Sequence, residues 1–332
     1  MAKRFNNLSI YRLIATICVI LFHIFFILVN RAIPYEMLLS KGVQGLTCLS
    51  GFLYSQKLIK DTKKFYVNNL KKILIPALIA FLIMAIWNFI YMIVNQSWNY
   101  FDLFFSHRLY NNMLLIQPGN YYYIAYIFGC YLLTPVLQRK DKFSWLTIIL
   151  VSILEFTLAF LNGTASIAVS YIIGYYLGSV LFKQITDKDT KFSIPTFLVI
   201  FASLALVTGL YILMIELPWT GNYFISHFYL AIRDCILTCF GILTFLFISH
   251  LFRWTNNFQG SKFLGFTDKL SLNAYLLNQA FMCGAMNVTL WVNDFTVGII
   301  LVFVFTISFS IITYFLYKGL MYYINRDKLK EA

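Results

Sequence analysis

The stretch LSIYRLIATICVILFHIFFILV, residues 8–29, decides the fold class. It is almost wholly apolar, with Arg12 and His23 as its basic side chains, and it is long enough for one helical membrane crossing, which needs about 20 residues. Its apolar residues run continuously, whereas the strands of a membrane barrel alternate, so we predict a helix. The run is too long for the apolar core of a signal peptide and no small-residue cleavage site follows it, so we expect a retained helix.

The remainder of the chain has the same character. Of its 332 residues, 60% are hydrophobic and 12% are charged, whereas soluble domains are about 45–50% apolar and about 25% charged. One water-exposed domain of this length cannot bury so much apolar surface. In lipid, backbone polar groups must pair within the protein, which favours helices. We therefore predict an all-α, polytopic membrane bundle that forms a single domain over residues 1–332, with no soluble domain.

Hydropathy predicts ten transmembrane helices. They lie at 8–29, 42–59, 73–94, 121–137, 144–161, 164–182, 193–215, 224–250, 263–286 and 295–323. With the N-terminus in the cytoplasm, the basic residues fall on the inner side except for Arg31, Lys41 and Arg108 in outer loops and Arg233 within a span. Both termini are then cytoplasmic. The net charge of +13 is explained by basic loops that face anionic lipids, without a nucleic-acid partner.

Arg12 and His23 are the first candidates for chemistry. They lie eleven positions apart, which in an α-helix is within about 20° of three full turns and about 16 Å along the axis. Both side chains therefore lie on one helix face, with the cation near the cytoplasmic end and the imidazole deeper. Ionisable residues inside a membrane are functional candidates by default. The competing interpretation is that Arg12 extends to the lipid headgroups and that His23 is a buried structural residue.

Five stretches, in order along the chain, resemble the acyltransferase-3 family of membrane acyltransferases. The first is NLSIYRLIATICVILFH (7–23), in which Arg12 and His23 match the family's Arg, ten residues, then His. The others are GVQGLTCLSGFLYS (42–55) with Ser50, Gly51, Phe52 and Leu53, NNLKKILIPALI (68–79) with Lys71, Lys72 and Pro76, NYYYIAYIFGCYLLTPVL (120–137) with Tyr131 and Pro135, and KFLGFTDKLSLNAYLLNQ (262–279) with Ser271, Tyr275 and Leu276. The resemblance covers most of the chain. Ser9, Tyr123 and Asn278 depart from the pattern, which usually has Asp, Trp and His at those positions.

The resemblance implies transfer of an acyl group, commonly acetyl, from cytoplasmic acyl-CoA to a hydroxyl of a surface polysaccharide or lipid-linked glycan. His23 is then the general base or the acyl carrier, and Arg12 binds an anionic group of the donor. The basic loop at Lys71 and Lys72, with Ser50, is expected to contact the donor, although Lys71 and Lys72 also suit cytoplasmic topology alone. Acyl-CoA is a co-substrate, and no bound cofactor or metal is expected. The family's character implies a bacterial plasma membrane, and a homo-oligomer is compatible with the sequence.

A second group of polar residues lies inside or beside the later spans. We predict that they bind the acceptor or form structural polar contacts; they are Arg233, Asp234, Glu155, Tyr123 and Asn278. A charge inside a membrane needs a partner elsewhere in the bundle. Because Arg233 and Asp234 are adjacent, they point about 100° apart and do not stack on one helix face.

Two other functions fit a polytopic chain of this size. One is a transporter or flippase for a glycan or another amphiphile, but no inverted repeat or pair of matching broken helices is evident. The other is a polymerase of lipid-linked sugars, which usually needs a large outer loop rich in Arg, whereas the loop at 95–120 holds only Arg108. We therefore predict an acyltransferase and keep the transporter as the alternative.

Overall fold

The structure is a computed structural model that describes residues 5–26, 36–96, 122–162, 166–187, 194–216, 223–258, 261–282, 286–292 and 294–330. All regular elements in these ranges are helical, so the predicted all-α class is confirmed there. The α-helices are α1 (Asn6–Ile24), α2 (Glu36–Ser40), α3 (Gly42–Tyr54), α4 (Thr62–Asn95), α5 (Tyr122–Arg139), α6 (Lys142–Asn162), α7 (Ile167–Thr186), α8 (Ile194–Glu216), α9 (Tyr223–Leu251), α10 (Lys262–Leu277) and α11 (Phe295–Lys330). Short 3-10 segments lie at Arg253–Asn257, Asn278–Phe281 and Val288–Trp291.

Six of these helices are long and apolar enough to cross a membrane: α1, α4, α6, α8, α9 and α11. Only 11% of the most apolar stretch of α8 is buried, so its side chains face outward along most of the helix. Lipid is the solvent that accepts such a surface. The chain is a multi-pass membrane protein. Each predicted span overlaps one helix, whereas the count of ten spans and the side on which the termini lie stay predictions.

Two of the predicted spans extend beyond the α-helices that the structure has at those positions. The segment predicted to span 42–59 is helical only from Gly42 to Tyr54, and the one predicted at 263–286 leaves α-helical geometry after Leu277. The buried side-chain amide of Asn278 donates to the carbonyls of Ala274 and Tyr275, which are among the acceptors that a helix leaves unpaired at its C-terminus. Side-chain capping thus accompanies the end of α10, which hydropathy alone did not predict.

The predicted basic loop at 68–72 is helical, because α4 begins at Thr62. The Asp61 carboxylate accepts the backbone N–H of Lys64 at 2.9 Å, and this is how an Asp at the N-cap satisfies one of the unpaired donors of a first helical turn. Neither Gly nor Pro interrupts the chain before Pro76, which lies inside the helix. Lys71 and Lys72 therefore lie on α4 itself.

The chain divides into two compact units. The first contains residues 1–22, 32–66 and 126–268, and the second contains 23–31, 67–125 and 269–332. In the first unit, the rings of Tyr11, Phe245 and Phe52 join α1, α9 and α3 in a continuous buried chain, with centroids 5.0 and 5.4 Å apart. Edge-on and offset contacts at this spacing are favourable. These rings form the aromatic part of a buried hydrophobic cluster in the first unit.

Glycines bring α3 and α7 together in the first unit. A Cβ on Gly51 would overlap the carbonyl oxygen of Tyr171, and one on Gly174 would overlap the carbonyl oxygen of Cys48. Small residues allow this backbone approach between membrane helices, where apolar burial between helices is not a driving force. We call this contact the α3–α7 seam.

In the second unit, α11 packs against α10 and the 3-10 segment that follows it. The amide of Asn273 donates to the Ser310 carbonyl at 3.4 Å. The ring of Phe281 lies 5.8 Å from that of Phe305 and 5.2 Å from that of Phe309. A hydrogen bond thus joins α11 to α10, and aromatic rings join α11 to the 3-10 segment Asn278–Phe281.

Candidate active site

The first turn of α1 is fixed by two asparagines. The amide of Asn7 donates to the carbonyls of Ile185, at 2.9 Å, and Ser249, at 2.7 Å. The amide of Asn6 donates to the carbonyl of Thr255 at 3.0 Å. These acceptors lie at the ends of α7 and α9 and in the 3-10 segment after α9, where helices leave carbonyls unpaired. Both asparagines are buried, so the turn that precedes Arg12 is tied to three other elements.

Arg12 pairs with Asp268 of α10. Its Nη1 lies 3.0 Å from Oδ1 of Asp268, and the hydroxyl of Ser9 donates to Oδ2 of the same carboxylate at 2.6 Å. The Arg12 side chain remains 27% exposed, whereas that of Asp268 is 10% exposed. Arg12 is therefore anchored by a carboxylate and still reachable from outside the protein.

The sequence interpretation did not include Asp268. Its signal is the acidic side chain at the predicted inner end of the ninth span, the same side of the membrane as Arg12. An Arg inside a membrane protein needs an anionic partner, and acidic residues are scarce in this chain, at 13 of 332. A search for acidic residues at the same predicted depth would have selected it.

His23 lies one residue before the end of α1 and is 5% exposed. It belongs to the second compact unit, whereas Arg12 belongs to the first. One continuous helix, α1, carries both residues, as the apolar run predicted. The imidazole is therefore buried, and the roles assigned to it by resemblance stay predictions.

The residues predicted to contact the donor differ in their environment. The Ser50 hydroxyl donates to the Leu46 carbonyl of its own helix at 3.0 Å, a bond that many helical Ser side chains make. Lys71 and Lys72 are exposed on α4. Two exposed cations are thus accessible to an anion, while the proton of Ser50 is already donated within α3.

A model of the acyltransferase-3 family, described as an acyltransferase domain, matches residues 5–315. The chain belongs to this family. The match covers nearly the whole chain and both of the residues that carry the Arg–His spacing. A search of curated proteins and a search of solved structures found no match. The acyltransferase-3 assignment makes this protein a membrane acyltransferase in the general sense.

Asp234 of this acyltransferase forms a buried ion pair. Its Oδ1 lies 3.0 Å from the ammonium of Lys41, with side-chain exposures of 7% and 5%. Its Oδ2 accepts the backbone N–H of Ser166 at 3.2 Å and the Ser166 hydroxyl at 2.8 Å. Lys41, which the charge count placed in an outer loop, is therefore a buried partner, and the partner that Asp234 required is found. Neighbouring Arg233 is half-buried.

Glu155 binds the same helix end as Asp234. Its two carboxylate oxygens accept the backbone N–H groups of Ala168, at 2.7 Å, and Val169, at 2.8 Å. Ser166 precedes α7, so the two carboxylates together pair three of the donors that a helix leaves unpaired at its N-terminus. Negative charge there is also favoured by the helix dipole. The contacts of Glu155 and Asp234 are those of structural caps.

Tyr123 and Asn278 both lie in the second unit. Tyr123 is 8% exposed, and its ring packs on that of Tyr275 with centroids 4.9 Å apart. Asn278 is fully buried and caps α10. Arg108, the basic residue of the outer loop, lies outside the described residues. Of the five residues predicted for acceptor binding or structure, Glu155, Asp234, Tyr123 and Asn278 thus make contacts within the protein.

Proposed function

We propose that this acyltransferase moves an acyl group, with acetyl as the leading choice, from cytoplasmic acyl-CoA to a hydroxyl of a surface polysaccharide or lipid-linked glycan, in a bacterial plasma membrane. The observation that carries the proposal is the Arg12 centre. A cation held by Asp268 remains partly exposed, on the same continuous helix as the buried His23. A donor with an anionic end and a reactive far end suits that arrangement.

The reaction joins the acceptor oxygen to the acyl carbon and breaks the carbon–sulfur bond of the thioester. If His23 is the general base, it takes the hydroxyl proton as the oxygen attacks, and the leaving thiolate receives a proton. If His23 carries the acyl group, its ring nitrogen first displaces CoA, and the acceptor oxygen displaces the imidazole in a second step. Both routes give the same products, free CoA and an acylated glycan.

Charge supports a phosphate-bearing donor. The Arg12 guanidinium is a charged hydrogen-bond donor suited to an anionic oxygen of the acyl donor. Helix α4 adds the exposed cations Lys71 and Lys72. We assign these lysines to the nucleotide phosphates of CoA. Because they are exposed, each contributes less than a buried contact would, and we expect their effect to fall with rising salt.

The test is release of free CoA from acetyl-CoA by the purified protein in lipid. Wild type is compared with His23→Ala and Arg12→Ala, with and without a crude surface-glycan acceptor. His227→Ala is the matched control, because His227 is another histidine of a membrane helix, α9, and has no role in the proposal. All variants are compared at equal amounts of monodisperse protein.

We expect His23→Ala to lower turnover by about 100-fold or more, as for loss of a general base. Arg12→Ala should weaken turnover mainly at low donor concentration, because it removes donor binding. Wild-type activity that survives His23→Ala unchanged would remove His23 from the mechanism. No CoA release from any acyl-CoA by the wild type would overturn the proposed donor.

A further inference from the structure

An arginine at a binding site must be held in one orientation to act reliably. Its side chain is long and loses substantial rotamer freedom when it is ordered. In the first unit, the Asp268 carboxylate meets Arg12 through Oδ1 and Ser9 through Oδ2. One carboxylate oxygen therefore lies in an ion pair with the guanidinium while the other accepts the Ser9 hydroxyl, so rotation of the carboxylate would disturb both contacts.

We propose that Asp268 is a positioning residue for the acyl-CoA site: it orders the Arg12 guanidinium before the donor arrives, with Ser9 fixing the carboxylate. This inference rests on the proposed function. Asp268 does not touch the donor in this account and acts through Arg12 alone. Its contribution should therefore appear in donor binding and leave the chemical step nearly unchanged.

The exposure of the pair supports this role over a structural one. The side chains of Lys41 and Asp234 are 5% and 7% exposed, and Asp234 also binds a helix end. Arg12 retains 27% exposure against 10% for Asp268. In this ion pair the carboxylate is mostly buried and the cation is partly exposed. The cation can therefore be reached by an external anion.

The same helix offers a second place for the carboxylate. Ser9 and Arg12 are three residues apart on α1, and residues at that spacing are neighbours on a helix surface. The Ser9 hydroxyl already lies 2.6 Å from Asp268. An Asp at position 9, with a Ser at position 268, would exchange the two partners while keeping one carboxylate and one hydroxyl beside Arg12.

The experiment measures KM and kcat for acetyl-CoA with the full-length protein in lipid. The variants are Asp268→Asn, Ser9→Ala and the exchange Ser9→Asp/Asp268→Ser. Asp141→Asn is the control, because it breaks another Arg–Asp pair, that of Arg139 and Asp141 at 2.8 Å, which is exposed. Each variant is also checked for yield and thermal unfolding.

We expect Asp268→Asn to raise KM about three- to tenfold, since the donor must then order Arg12 itself, with kcat changed by less than about twofold. Ser9→Ala should raise KM by less, and it keeps the test open if Asp268→Asn does not fold. The exchange variant should restore KM to within about twofold of wild type, as expected if one carboxylate beside Arg12 is what matters. Asp141→Asn should leave KM unchanged.

An unchanged or lower KM in Asp268→Asn would overturn the inference, because Asp268 would then be a bystander or a competitor of the donor. An exchange variant no better than Asp268→Asn would also contradict it. Either result can occur with an active wild type and leaves the proposed function intact. No turnover by the wild type, in contrast, would remove the proposed function and this inference together.

Discussion

Two aspartates of the first unit each form an ion pair, but the two ion pairs have different roles. Asp234 is bound by the buried ammonium of Lys41 and by the backbone and hydroxyl of Ser166, so all its partners are internal. Asp268 is bound by Ser9 and by Arg12, whose side chain is 27% exposed. The contacts of Asp234 cap the N-terminus of α7. Asp268 instead holds the Arg12 cation, which remains accessible to a ligand.

The difference teaches how to separate structural from functional charge in a membrane bundle. Burial of an ionisable group is common to both centres and does not distinguish them. What distinguishes them is whether the cation of the pair remains accessible. By that criterion, the Lys41 centre supports α7, and the Arg12 centre is the candidate for binding a donor.

The largest effect is expected from Asp234→Asn. It leaves the ammonium of Lys41 buried without its counter-charge, and removing one partner of a buried pair costs about 3–5 kcal/mol. The free energy of unfolding in mild detergent measures this. The double variant Lys41→Met/Asp234→Asn should recover much of the loss, because no buried charge is then left unpaired. A small loss of unfolding free energy in the single variant would mean that this pair contributes as little to stability as we expect from Arg12–Asp268.

The next largest loss of stability is expected at the α3–α7 seam. This seam lies next to the Lys41–Asp234 ion pair, because Lys41 precedes α3 and Asp234 binds Ser166, which precedes α7. Gly174→Ala places a Cβ against the Cys48 carbonyl, and we expect a loss of about 1–3 kcal/mol, typical of overpacking. Gly209→Ala on α8 is the matched control, because its added Cβ would meet nothing within 4 Å. Thermal unfolding of both variants should show a lowered midpoint for the first alone. Equal midpoints would argue against close packing at the seam.

Asp268→Asn should cost much less stability than Asp234→Asn. Its partner Arg12 is partly exposed and can be solvated after the change, so we expect about 1 kcal/mol or less, as for exposed ion pairs. The same unfolding assay places the two aspartates on one scale. A loss as large as that of Asp234→Asn would mean that the Arg12 centre is structural as well.

The smallest effect is expected at Asp141, between α5 and α6. The Ser144 backbone N–H, and then the Arg139 guanidinium, hold the pKa of this carboxyl below its ordinary value of 3.8. A carboxyl whose pKa is lowered by folding stabilises the folded state at pH values above its ordinary pKa. This stabilisation is lost as the pH falls through the pKa that the carboxyl has in the folded state. The small difference in unfolding midpoint between wild type and Asp141→Asn should therefore shrink in strong acid. A difference that grows in acid would contradict the sign of this shift.

Sequence alone predicted the helical class, a helix at each apolar segment and the family. These depend on composition and on local order, which a single chain displays. It did not predict that α4 begins at Thr62 or that α10 ends at Leu277, because a polar cap at either end outweighs hydropathy. It identified Arg12 but not Asp268: the predicted depth of Asp268 makes it a candidate partner, but the pairing itself joins residues 256 positions apart, which local sequence does not display. Lys41 lies between α2 and α3, in a connecting segment as predicted, but its burial and its pairing with Asp234, 193 positions away, were not predicted, for the same reason.

The most direct test of the central claim follows the glycan in cells that carry either wild type or His23→Ala as their only copy. The measurement is the acyl content of the surface glycan, beside its exported amount and chain length. We predict that His23→Ala removes the acyl groups and leaves export and chain length unchanged. Loss of export, or a shortened glycan that is still acylated, would contradict an acyltransferase and favour a transporter or a polymerase.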